Sequence, residues 1–155
     1  MRNAALVDSG PLLALFDRDD GHHSRVVEFM RANPSLRLVT TWPVLNETAA
    51  LLAARVGEQA EIDFLEWVVA GAVGIADLGN TELIRMLELI RKYRDLPFDF
   101  ADASIAELAA SMGVDQVLSI DSDFDVYRSG QGKPLKNLLG PGSRKRRPVR
   151  PQGRR

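Results

Sequence analysis

The 155-residue chain reads as a single α/β domain, an α/β/α sandwich with a central, mainly parallel sheet flanked by helices. Short apolar runs at residues 3–8, 36–39, 73–76 and 117–120 have the length and composition of buried strands. Between them lie stretches with helical periodicity, bounded by Thr, Asp, Pro and Gly signals. Strands that alternate with helices build a parallel sheet, and 45% apolar content supplies a core for one domain of this length.

The first strand stops at Asp8-Ser9-Gly10-Pro11, where the proline suits a first helical turn leading into Leu12 to Phe16. Val26, Val27, Phe29 and Met30 form a second helical stripe, closed by Asn33-Pro34. After the strand at 36–39, Thr40 and Thr41 offer caps and Pro43 an early proline, so a helix runs over 43–55 with Glu47 in its first turns. Gly57 separates it from a helix over 58–70, whose Ile62, Phe64, Leu65, Trp67, Val68 and Val69 exceed what one buried face needs. Core packing is the first use of these residues, and Trp67 is the candidate for a partner contact. Residues 81–93 form an amphipathic helix, broken by Leu96-Pro97-Phe98-Asp99. Asp99 then caps a helix over 100–112, ended by Gly113, with Asp102 in its first turn. The last apolar run leads directly into Asp121.

Composition removes several chemistries. The chain has no cysteine, so disulfides, thiolate nucleophiles and sulfur-ligated zinc are absent. Its two histidines, His22 and His23, are adjacent and make a poor chelating pair on a helix; they read as surface residues of a helix start. The longest uncharged stretch is too short to cross a bilayer, and the expectation is a soluble cytoplasmic protein. The net charge of −1 hides an asymmetry, because residues 1–130 carry 11 Lys and Arg against all 21 acids. The remaining 25 residues carry nine cations and no acid. From Gly140 the chain is rich in Gly, Pro and cations and poor in anything that packs, which predicts a body at 1–139 and a disordered basic tail at 140–155.

Four acids, Asp8, Glu47, Asp102 and Asp121, fall where a strand ends or a helix begins. In a parallel sheet those positions share one edge. Carboxylates within roughly 5 Å repel by about 3 kcal/mol per pair at an effective dielectric near 20. No Lys or Arg flanks any of the four, so a divalent cation is the natural relief, and oxygen donors favour Mg²⁺ or Mn²⁺. Such a site carries out phosphodiester hydrolysis. Taken singly, Asp8, Asp102 and Asp121 also suit capping, a helix dipole or a turn. Glu47 is harder to explain that way, since Val44, Leu45, Ala49, Ala50 and Leu51 surround it in sequence. Asp99 and Asp123 are secondary candidates for a second ion, and Ser9 and Ser119 place hydroxyls beside the acids.

Three stretches, Val7 to Leu15, Leu96 to Ser104 and Leu118 to Phe124, together resemble the motifs of PIN-domain ribonucleases, most closely VapC-type toxins of prokaryotic toxin–antitoxin pairs. The likeness covers nearly all of residues 3–130 in order and spacing. It implies a Mg²⁺- or Mn²⁺-dependent endoribonuclease with Asp8, Glu47, Asp102 and Asp121 as the catalytic acids. It also implies a homodimer and an antitoxin that covers the active-site groove. Ser9 and Ser119 stand where the family often has threonine, which keeps the hydroxyl. Alternatives are a metal-dependent DNA nuclease and a catalytically silent RNA-binding or regulatory module. A phosphatase with Asp8 as nucleophile fits less well, because Gly10 stands where such enzymes keep a second Asp. Arg144, Lys145, Arg146 and Arg147 are candidates to hold RNA phosphates, or to fold back on the acidic pocket when RNA is absent.

Overall fold

The computed structural model describes residues 3–120 and 123–140. At its centre β1 (Ala4–Val7) is buried along its whole length, because it has a parallel neighbour on each side. Those neighbours are β2 (Arg37–Thr41) and β4 (Gln116–Leu118), with Leu6 opposite both Val39 and Val117. Beyond them β3 (Gly74–Ala76) pairs with β2, and β5 (Lys136–Asn137) with β4, so the all-parallel order is β3-β2-β1-β4-β5.

The expected helices form as α1 (Ser9–Phe16), α2 (His23–Ala32), α3 (Trp42–Arg55), α4 (Glu58–Val69), α5 (Asn80–Lys92) and α6 (Phe100–Met112). Gly113 ends α6 in the left-handed conformation, at φ 64°, that a glycine adopts without a steric penalty. Short α7 (Asp123–Val126) and strand β5 were not expected. A four-residue helix carries too little periodicity to see, and Lys136-Asn137 is a poor strand by composition that forms only because β4 offers an open edge. The strand expected at 36–39 runs on to Thr41. Thr40 therefore does not cap; its hydroxyl donates to the Val7 carbonyl at 2.8 Å and ties β2 to the end of β1. His23 is not a plain surface residue either. Its Nδ1 lies 2.7 Å from the Ala14 carbonyl, which fixes the proton on that nitrogen and links α2 to α1. Trp67 packs edge-on against Phe16, so the apolar residues that α4 leaves exposed are Ile62, Leu65 and Val69.

The break between α5 and α6 is held from below. Phe98 is buried against Tyr93 and Tyr127, with ring centroids 4.8 and 4.6 Å away, and contributes about 2–3 kcal/mol by burial. This anchor fixes the residue that follows it, Asp99. An ion pair joins the same two helices: exposed Arg85 on α5 donates to Glu107 on α6 at 2.7 Å, and Glu107 is only 1% exposed. Ser111 donates to the same carboxylate oxygen at 3.2 Å. The other oxygen faces Gly130, where a Cβ would come within 2.9 Å of it, so only glycine lets the 129–133 loop close onto α6.

Arg85→Met is expected to lower the urea midpoint of unfolding, because it leaves the buried Glu107 carboxylate without its cation. Adding Glu107→Gln should restore part of that loss. If Arg85→Met is as stable as the native chain, the pair does not hold α5 to α6.

Candidate active site

The strand order places β1 between β2 and β4, so the chain leaves β1 toward one side of the sheet and later returns on the other. In open parallel sheets, the crevice at the carboxyl ends of two such strands is where ligands bind. Asp8 is the first residue after β1 and is buried there. It occupies the N-cap position of α1, yet its carboxylate makes no cap hydrogen bond, so capping does not account for it. Its backbone N–H donates to the Leu118 carbonyl at 3.0 Å, which holds it to the end of β4. Gly10 strengthens this closure, since a Cβ there would lie 3.0 Å from Ile120 Cγ1. The sequence runs from Ile120 into Asp121, which lies outside the described residues. Asn137 braces that strand end, donating to the Ser119 carbonyl at 3.0 Å and accepting from the Ser119 N–H at 3.2 Å.

The remaining acids come from the starts of two helices. Asp99 caps α6 by accepting from the Asp102 N–H at 2.9 Å, and Asp102 accepts from the Asp99 N–H at 3.0 Å. This reciprocal box satisfies two orphan donors and aligns both carboxylates at one helix start. Glu47 sits half-buried in the second turn of α3 and receives a hydrogen bond from the Ser9 hydroxyl. A buried relay couples the two helices. Ser104 donates to the Ala101 carbonyl at 2.6 Å, so Thr41 donates to Ser104, also at 2.6 Å. Thr41 in turn accepts from the Val44 N–H at 3.4 Å. Ser104 and Asn137 were not singled out from the sequence, because a serine inside an alanine-rich helix and an asparagine after a basic loop carry no local sign of what they touch.

The electrostatics are those of like charges kept together. The Asp102 carboxyl is pushed up to about 8 by burial and by the charges of Asp8 and Asp99, against the lowering effect of the Asp99 N–H. Glu47 is raised by burial and by Asp99, and is lowered in part by the Ser9 hydroxyl and Arg55. Asp8, Asp99, Asp102 and Glu47 therefore belong to one electrostatic unit. The backbone of Asp123 opens α7.

These donors suit a hard divalent cation: all are oxygens, and burial and neighbouring carboxylates already raise the Asp102 carboxyl. Among the described residues no three His, Asp or Glu side chains form a ready-made metal cage. Mg²⁺ sites commonly use one or two carboxylates and complete the shell with water and substrate phosphate. A cleft of about 600 Å³ opens beside the acids, with Glu47 and Asp99 in its wall.

Fold and site together define an α/β domain that gathers carboxylates at the carboxyl edge of a parallel sheet, the class equipped for metal-assisted phosphodiester chemistry. The chain belongs to the PIN domain family, which it matches over residues 5–129. It is similar to Ribonuclease VapC26 of Mycobacterium tuberculosis, with 30% identity over 116 residues, 75% of this chain and 85% of that protein. The fold resembles that of M. tuberculosis VapC20, a Sarcin-Ricin loop cleaving toxin, with a TM-score of 0.73 and 20% identity, covering 79% of this chain and 93% of that one. It also resembles VapBC2 of Rickettsia felis, solved bound to a DNA fragment from its promoter, with a TM-score of 0.61 and 12% identity, covering 86% of this chain and 98% of that one.

Because the folded carboxyl of Asp102 titrates far above the ordinary 3.8, the stability it lends is full below about pH 4 and is lost as pH rises toward about 8. In chelator, the melting temperature should fall across that window. At pH 8, Asp102→Asn should melt on the order of 5 °C above the native chain, since the amide oxygen still accepts the Asp99 N–H without the charge. Mn²⁺ should raise the melting temperature of the native chain more than that of the variant, and equal shifts would remove Asp102 from the metal site.

Proposed function

We infer that this protein is a divalent-metal-dependent endoribonuclease acting as the toxin of a toxin–antitoxin pair. The observation that carries the site assignment is the rise of the Asp102 carboxyl through burial and through the charges of Asp8 and Asp99 beside it. Asp8, Asp102 and Asp121 would hold a Mg²⁺ or Mn²⁺ ion, with Asp99 and Asp123 as the candidates for a second. When bound, the ion lowers the pKa of water and offsets charge on the phosphate. Glu47, raised by burial and steadied by Ser9, takes up the proton of the attacking water. Hydrolysis adds that water across a P–O bond of RNA and leaves a phosphomonoester and a hydroxyl.

VapC26 and VapC20 support RNA as the substrate, and VapBC2 supports an antitoxin partner. A homodimer fits the apolar residues that α4 leaves exposed, Ile62, Leu65 and Val69. Among the described residues no helix is long and apolar enough to cross a membrane, and we place the enzyme in the cytoplasm with its RNA substrate. Residues 1–139 form the catalytic body. Arg144, Lys145, Arg146 and Arg147, outside the described residues, hold RNA phosphates near an otherwise acidic surface.

Purified protein should cut labelled single-stranded RNA, and not DNA, with Mg²⁺ or Mn²⁺, and stop in chelator. Asp8→Asn and Asp102→Asn should each reduce cleavage by at least about 100-fold. Cutting that persists in chelator or in Asp8→Asn would refute the metal mechanism, and cutting confined to DNA would refute the substrate. Removing residues 141–155 should weaken RNA affinity at low salt and flatten its salt dependence; an unchanged salt slope would show that the basic cluster does not touch RNA.

A further inference from the structure

The cleft beside the acids is built unlike the acidic pocket it joins. Its walls come from the first turns of α3, α5 and α6, and most of its surface is apolar. Trp42 and Phe100, each the first residue of its helix, line it while 58% and 48% exposed. Leu83 is 47% exposed beside them, and Met86 closes the floor. Among the described lining residues the polar side chains besides Glu47 and Asp99 are the amides of Asn46 and Asn80 and the indole N–H of Trp42. Neither amide makes a side-chain hydrogen bond among the described residues, so each offers a donor and an acceptor to a ligand. Among the described residues no Lys or Arg lines the cleft.

This is the chemistry that recognises an unpaired nucleobase. Bases splayed from a single strand stack on aromatic faces, and their edges are read by amides. A phosphate would find no cation here, whereas a flat, uncharged ring finds apolar walls. The volume of about 600 Å³ accommodates a nucleoside with room for its sugar. Because Glu47 and Asp99 belong both to this wall and to the acid cluster, a phosphodiester held at the acids has its neighbouring nucleoside at the mouth of the cleft.

We propose that the cleft is a nucleobase subsite that seats one base flanking the scissile phosphate, with Trp42 and Phe100 as stacking surfaces and Asn46 and Asn80 reading the base edge. The proposal rests on the ribonuclease reading for its position beside a scissile phosphate, but not for its chemistry. Trp42 is thereby a substrate-binding residue that selects which RNA is cut.

Two measurements decide it. Trp67→Phe leaves Trp42 as the single tryptophan of the chain, so its fluorescence reports the cleft. Titrated in chelator, oligo(A) and oligo(U) should quench it, and an abasic ribose-phosphate oligomer of equal length should not. Equal quenching by the abasic oligomer would overturn the subsite. On an RNA that the native enzyme cuts, Trp42→Ala should lose about 5- to 100-fold in kcat/KM, chiefly through KM, and Trp42→Phe should recover part of it. Removing the base at one flanking position should slow the native enzyme by a similar factor and leave Trp42→Ala unaffected. If Trp42→Ala cuts like the native enzyme yet loses an antitoxin peptide, the cleft docks protein and the proposal falls. Should the native chain cut no RNA at all, the ribonuclease reading fails, while the quenching still decides whether a base is bound.

Discussion

Everything at the catalytic edge is organised around a repulsion that the fold does not allow to relax. Asp8, Asp99 and Asp102 would separate if their backbones were free. They are fixed by hydrogen bonds that are indifferent to the state of the carboxylates. The Asp8 N–H is tied to Leu118, and the Thr41–Ser104 relay sets the two helix starts relative to each other. The reciprocal box at Asp99 and Asp102 adds to these, each carboxylate accepting the other residue's backbone N–H. Burial and this repulsion together raise the Asp102 carboxyl. On the proposed reading, a pocket held in this way would be preorganised for a cation, as electrostatic catalysis requires.

The support for that edge is drawn from well below it. Phe98, locked between Tyr93 and Tyr127, converts core burial into the placement of Asp99 one residue later. The Arg85–Glu107 pair holds α5 to α6, and α5 forms one wall of the cleft that opens from the acids. Core packing, the Arg85–Glu107 pair and the site are thus one mechanical unit. A change in the aromatic cluster is felt at the chemistry because there is no flexible linker between them. Gly10 and Gly130 serve the same closure by letting backbone approach where a methyl would stand in the way.

Most of the fold could be read along the chain. The helices from α1 to α6 and the strands from β1 to β4 are signalled by apolar periods and by Thr, Asp, Pro and Gly punctuation. Their boundaries differ from expectation by a residue or two, as frayed ends do. The short α7 and β5 were invisible because neither is specified locally: β5 takes its conformation from β4. Among the site residues, Asp8, Glu47, Asp99 and Asp102 were legible as acids at strand ends and helix starts. Their braces, Ser104 and Asn137, were not, since a hydroxyl or an amide shows its partner only in three dimensions.

The sequence by itself determined the alternation of strands and helices, the absence of sulfur chemistry, and the supply of acids at the positions a parallel sheet brings to one edge. These follow from covalent spacing and side-chain type, which are local properties. Only the tertiary structure decided that Asp99 joins Asp8 and Asp102 in raising one another's charge problem, that Ser9 serves Glu47, and that exposed aromatics open a cleft beside them. Those are properties of distance between segments remote in the chain, set by strand order and helix packing, and no reading along one dimension contains them.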